Sequence, residues 1–200
     1  RCEMKRKASF PAIIVILFVL GCIRSLHPLY EEKNLIFDPQ LEGSWFSAEP
    51  SEKWVFDYEK EGRFYRLTYT DEKGKSGTFK AHFFKLGEST YFLDFSPVVP
   101  DKNQELNGMY QYHLMGIHTF ARVVQILPEL QLQFPDVSWL QRSLDSNSVD
   151  IPHDMVNSSL LLTGSTEELQ NFFLSHAENK ELFAHKRTLR KDGEPSPVLH

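Results

Sequence analysis

Between residues 53 and 95, aromatic side chains alternate with polar ones in four separate stretches, and this alternation limits the fold more than any other feature of the chain. "KWVFDY" puts Trp54, Phe56 and Tyr58 on one side of an extended backbone, and "RFYRLTYT" does the same for Tyr65, Leu67 and Tyr69. "TFKAHFFKL" groups Phe79, Ala81 and Phe83, and "TYFLDF" groups Tyr91, Leu93 and Phe95. Side chains of a strand point alternately to two faces, so a period of two with rings on one face specifies half-buried strands. The separating stretches "EKEG", "DEKGKSG" and "KLGES" are short, polar and glycine-bearing, which turns each strand back on the last as an antiparallel hairpin. Four such strands make a meander. The 16 Phe and 7 Tyr of this 200-residue chain suit rings packed on a pleated surface.

A polar loop with Pro97, Pro100, Asp101, Asn103, Asn107 and Gly108 follows. "YQYHLMGIHTFARVVQIL" and "ELQLQFP" then read as two more strands parted at Pro128-Glu129, the second with Gln131 and Gln133 on a wet face. Asp136 caps a short helix in which Val137, Leu140 and Leu144 recur at helical spacing. "SSLLLTG" is a further strand. "STEELQNFFLSHAE" is a helix with a Ser165/Glu168 capping box, an acidic first turn, and Leu169, Phe172, Phe173 and His176 on one face. Strands come first and helices late. The expectation is an α+β protein in which an antiparallel β-meander forms a sheet or partly closed barrel, with short helices near the C-terminus.

The N-terminus has a different character. Met4, at which translation is expected to begin, is followed by Lys5-Arg6-Lys7 and then by an apolar stretch that ends in Gly21-Cys22, the order of a secretory signal. The uninterrupted apolar run from residue 12 to 23 is short of the roughly 20 residues needed to cross a bilayer. Val19-Leu20-Gly21-Cys22 resembles the lipobox of bacterial lipoproteins. That resemblance implies a diacylglyceryl group on Cys22, cleavage just before it, and acylation of the new amino terminus. Two or three acyl chains hold a protein stably on a membrane, whereas one does not. Residues 1–21 are then a lipoprotein signal peptide and 22–40 a polar, proline-bearing tether. Residues 41–185 form the β-rich globular domain, and 186–200, charged and without periodic apolar residues, a flexible tail.

Leu41-Glu42-Gly43-Ser44-Trp45, just before the meander, resembles the Gly-x-Trp first-strand motif of lipocalins, which implies a glycine turn into the first barrel strand and a tryptophan closing one barrel end. The sequence departs from that family in lacking Thr-Asp-Tyr, in offering no late-strand arginine to stack on Trp45, and in ending the domain with two helices. The wider arrangement of lipobox, "DPQLEGSW", meander, "HLMGIHTFARV" and "LLLTGSTEELQNFF" resembles bacterial envelope lipoproteins with no assigned activity.

The formal charge of −5 understates the acidity of the body. The signal segment removes Arg1, Lys5, Arg6 and Lys7 but only Glu3, so residues 22–200 carry −8. An acidic body is repelled by phosphate backbones, which argues against nucleic acid as a partner. Cys2 and Cys22 are the two cysteines, so no disulfide framework exists beyond Cys22. His113 and His118, five apart, point to opposite faces of a strand and have no further ligand at metal spacing, so neither a metal nor a cofactor is expected. His82 lies among Phe79, Phe83 and Phe84 as a strand histidine, and His153-Asp154 reads as a loop pair. No Gly-x-Ser-x-Gly elbow and no phosphate-cradling glycine loop occurs.

The expected function is therefore a non-enzymatic, lipid-anchored envelope module. Its aromatic sheet, with Phe84 and Phe92 on second faces, would bind an apolar ligand or another envelope protein. The alternative is an envelope hydrolase that pairs His118 or His153 with a carboxylate. Cys22 is followed by Ile23, not aspartate, which directs a lipoprotein of a two-membrane bacterium to the outer membrane, or to the cell membrane where only one exists.

Overall fold

The computed structural model describes residues 23–47, 51–98 and 116–193. The apolar run up to Cys22, and His113, lie outside the described residues. In chain order the strands are β1 (Arg24–Ser25), β2 (Gly43–Ser47), β3 (Glu52–Glu59), β4 (Phe64–Thr70), β5 (Ser76–Leu86), β6 (Thr90–Pro97), β7 (His118–Gln125) and β8 (Glu129–Phe134). Helix α1 (Val137–Asp145), strands β9 (His153–Val156) and β10 (Ser159–Leu162), helix α2 (Thr166–Ser175) and strand β11 (His185–Lys191) follow.

The meander is present with the faces that its alternation specifies. Trp54 pairs with Tyr69, Leu67 with Phe79, and Phe95 with Ala81, so the inward residues of successive strands stack across the ladder. Strands β2 to β8 continue this antiparallel order, and β11 joins β8 to β2 to complete a closed eight-stranded barrel. Closure removes the free edges that an open meander would leave. Strand β7 serves three neighbours. One edge runs along β6, while the other pairs with β1 near His118 and with β8 from Arg122 onward. From β1 a short sheet continues through β10 to β9.

Apolar residues sort into two cores on either side of the barrel wall. Trp45, Phe56, Tyr65, Leu67, Leu93, Leu130 and Leu189 fill the interior. Phe84, Phe92 and Phe120 point outward and pack under Phe172, Phe173, Leu182 and Phe183 of the helical layer. That layer forms as its sequence specifies: Asp136 Oδ1 accepts the Trp139 N–H at 2.8 Å, and Ser165 with Glu168 makes the reciprocal capping box of α2. Phe84 and Phe92 are fully buried, so the apolar content of their second faces is consumed by packing and is not free for a ligand.

Three segments differ from the sequence reading. Residues 23–40 are not a tether: Ile23 and Leu29 are fully buried, Leu35 nearly so, and Arg24–Ser25 form β1. Their apolar residues follow neither period, so Pro28, Pro39 and the charges dominate the sequence pattern, while in the fold Ile23, Leu29 and Leu35 pack on the outer face of the barrel and Ile36 on the interior core. Residues 186–191 are not a tail but most of β11, the strand that closes the barrel. Its inward positions are Arg187, Leu189 and Lys191, and one leucine among four Lys and Arg residues leaves no apolar alternation to read. His153-Asp154 opens strand β9 and is not in a loop.

Candidate functional site at the barrel mouth

One end of the barrel is plugged. Gly43 enters β2 at φ +109°, a conformation that L side chains rarely adopt, and thereby places Trp45 across the bore. The fully buried Trp45 donates its Nε1–H to the Leu41 carbonyl at 2.9 Å. The Tyr65 hydroxyl donates to the Asp38 carbonyl at 2.9 Å and accepts the Asp38 N–H at 2.8 Å. No arginine stacks on Trp45 among the described residues, but Lys191 on the late strand β11 does lie over it: its Nζ is 5.1 Å from the Trp45 ring centroid and donates to the Gln40 carbonyl at 2.7 Å.

The other end is open. A cavity of about 180 Å³ is lined by Trp54, Leu67, Tyr69, Phe79, Phe95, Thr119, Phe134 and Arg187. These come from β3 to β8 and β11, so the cavity is the bore of the barrel itself. Its rings brace one another: Trp54 meets Tyr69 edge-on at 5.2 Å and Phe95 at 6.0 Å, and Phe95 stacks on Phe134 at 6.3 Å.

A single polar cluster stands in this apolar wall. Glu52, with 5% of its side chain exposed, accepts the Tyr69 hydroxyl at 3.1 Å and the Trp54 Nε1–H at 3.4 Å. Arg187 Nε lies 3.4 Å from Oε2, the oxygen that accepts from Trp54, without hydrogen-bond alignment, and this nitrogen has no hydrogen-bond partner. Burial, reinforced by the neighbouring Glu52 charge, pushes the Tyr69 hydroxyl up to about 12, so it stays a donor at neutral pH. The site therefore offers an apolar socket bordered by a guanidinium held by one carboxylate. Neither Glu52 nor Arg187 was singled out from sequence, although the signal existed. Glu52 keeps the phase of Trp54 and Phe56, and Arg187 that of Leu189.

The histidines are differently placed. His118 Nδ1 and Asp94 Oδ1 are 2.6 Å apart, while Asp94 Oδ2 accepts the Leu29 N–H at 2.8 Å. Asp94 is fully buried, and burial pushes its carboxyl up against the opposing pull of His118. A histidine held by a buried carboxylate is also the arrangement of the base and its orienting group in hydrolytic triads. Among the described residues no hydroxyl or thiol hydrogen-bonds His118, and the carboxylate also holds the N-terminal segment onto the barrel. His82 stacks on Tyr30 with ring centroids 4.0 Å apart. His153 Nδ1 is 2.8 Å from the Ile151 carbonyl, and among the described residues no carboxylate is bonded to it. Cys22 lies outside the described residues. Among the described residues no helix is long and apolar enough to cross a membrane, and no group of three or more His, Cys, Asp or Glu is arranged to hold a metal ion. No protein-family model, curated protein or solved structure matches this chain.

Proposed function

We propose that this protein is a lipid-anchored, non-enzymatic binding module that takes the apolar end of a small amphiphile into the open mouth of its barrel. The observation that carries the reading is the 180 Å³ socket lined by Trp54, Leu67, Phe79, Phe95 and Phe134. An apolar cavity of roughly 150 Å³ is enough to take up benzene. The socket thus suits one ring or a short alkyl end, and Arg187 at its border suits a carboxylate or hydroxyl at the other end of the same ligand. The anchor is the acyl group that the Val19-Leu20-Gly21-Cys22 motif implies, and the acidic body argues against nucleic acid. The hydrolase alternative has the Asp94/His118 contact in its favour, but among the described residues no hydroxyl or thiol hydrogen-bonds His118, and the second oxygen of Asp94 is taken by the Leu29 N–H.

The test is titration of the purified protein with hexanoate and with hexanol, followed by calorimetry and by the fluorescence of Trp54 in the cavity wall. Saturable binding is expected in the native protein and loss of it in Thr119→Phe, which fills the bore from β7 without removing a core side chain. Heats that match buffer dilution, or equal binding in the variant, would overturn the reading. The anchor is tested separately by the intact mass of membrane-extracted protein beside Cys22→Ala. Identical membrane partition of the two proteins rules the acyl group out.

A further inference from the structure

We propose that the tip of the β9–β10 hairpin enters the lipid surface beside Cys22, so that the body lies against the bilayer and is not suspended from it. This rests on the acylation of Cys22 proposed above.

The first observation is the absence of slack. Ile23 is fully buried, and the next two residues are strand β1, held between β7 and β10. Consecutive Cα atoms stand about 3.8 Å apart, so a lipid on residue 22 is attached one peptide bond from the packed core. Such an attachment leaves the body no room to stand away from the membrane.

The second observation is which surface is thereby brought down. Strand β1 runs parallel to β10, with Arg24 opposite Leu161 and Ser25 opposite Leu162. Traced toward the N-terminus, β1 therefore leads toward Ser159, the first residue of β10, and toward the turn before it. Across that turn Val156 pairs with Ser159 and Met155 with Leu160. The hairpin tip and the N-terminal end of β1, from which Ile23 leads back to residue 22 in sequence, thus lie at the same end of the same small sheet.

The third observation is the chemistry of the tip. Met155 and Val156 are 50% and 45% exposed, whereas Leu160 and Leu162 on the paired strand β10 are buried. Successive strand residues point to opposite faces, so the two make the tip apolar on both sides. Asn157 and Ser158 form the turn with φ of 50° and 60°, the left-handed pair of a tight two-residue hairpin. From Met155 to Ser159 there is no charge. A narrow uncharged tip with two exposed apolar residues can enter the interfacial region of a bilayer without burying an ion.

The experiment uses the full acylated protein reconstituted in phosphatidylethanolamine/phosphatidylglycerol vesicles, its intact mass confirming the acyl group. Val156→Cys supplies the free thiol for an environment-sensitive fluorophore, and Glu72→Cys, in the exposed β4–β5 turn, is the control. A blue shift and quenching by nitroxide-bearing lipid are expected at position 156 and neither at 72. In the unlabelled protein, amide exchange of residues 155–159 is expected to slow on vesicles. Acylated, vesicle-bound protein whose residue 156 stays solvated and exchanges unchanged overturns the hairpin contact while leaving the anchor intact. Protein that carries no acyl mass and does not sediment with vesicles overturns the anchor and the hairpin contact together. A detergent-stable dimer that shields residue 156 from both water and nitroxide lipid assigns the edge of β9 to a second copy and overturns the membrane contact.

Discussion

His82 is a ring used for stacking at the cost of an unpartnered nitrogen. It is 6% exposed, lies nearly parallel to Tyr30, and keeps Nδ1 buried without a hydrogen bond. Burial first, then the charges of Lys80 and His118, push its pKa from 6.5 down to about 4. The unfolded chain therefore takes up the proton first as pH falls. The stability that depends on a neutral His82 is complete above about pH 6.5, and as much as about 3 kcal/mol of it is lost as pH falls toward 4. Asp94, raised by burial, has the opposite slope over part of this range, so a difference between two proteins isolates His82. His82→Phe keeps a ring over Tyr30 and removes the orphan nitrogen. At pH 7 it is expected to be neutral or stabilising by about 1 kcal/mol. The native-minus-variant stability, from urea melts at stepped pH, is expected to be flat above 6.5 and to fall below it; parallel curves would remove His82 as the cause. At the barrel mouth, Glu52→Ala leaves Arg187 uncompensated in an apolar wall and is expected to destabilise by about 2–4 kcal/mol in denaturant melts, although the cavity is widened.

Strand β11 shows how an element can be essential and still nearly invisible in sequence. "HKRTLRK" has the composition of a solvated tail, yet it pairs with β8 from His185 to Arg190 and with β2 at Arg190 and Lys191. It is held by a backbone ladder on both edges, by the fully buried Leu189, and by polar contacts of its charged side chains such as Arg190 to Glu129 and Lys191 to the Gln40 carbonyl. Leu189→Ala is expected to cost about 2–4 kcal/mol in a denaturant melt. A chain ended at Ala184 is expected to lose its cooperative transition altogether, because β2 and β8 are both left as bare edges. A sharp melt in that truncated chain would show the barrel to be stable open. Helix α2 is the contrasting case, written out in its own residues. Removing the cap with Ser165→Ala is expected to cost about 1 kcal/mol, read from the same melts, with the fold intact.

On the scale of the molecule, the barrel wall is coated on both faces, and the two coats have different roles. Strands β5 and β6 carry rings both inward to the bore and outward to the helical layer, and β7 adds Phe120 outward, so the outer rings are structural, while the mouth is an apolar opening to which seven strands contribute. A ligand in that mouth binds only the folded state, so it must raise the melting temperature. At a concentration of 100 times the dissociation constant the gain is about 2.7 kcal/mol. Hexanoate is expected to shift the thermal midpoint of the native protein and to leave that of Thr119→Phe in place. Equal shifts in both would mean binding elsewhere on the surface.

Locally written features were legible from the residues alone. The period of two set the faces of β3 to β6, the Gln/Leu alternation set β8, the Asp136 cap and Ser165 box set the starts of both helices, and Gly43 marked the turn into the barrel. Each of these is decided within a few residues of chain by sterics, dipoles and side-chain alternation. The tertiary structure alone decided closure by β11, the docking of residues 23–35 on the outer wall, the pairing of Asp94 with His118, and the meeting of Glu52 with Arg187. The partners in these contacts lie 24 or more residues apart, and no local period records which distant surface a strand edge, a buried carboxylate or an irregular apolar segment will meet.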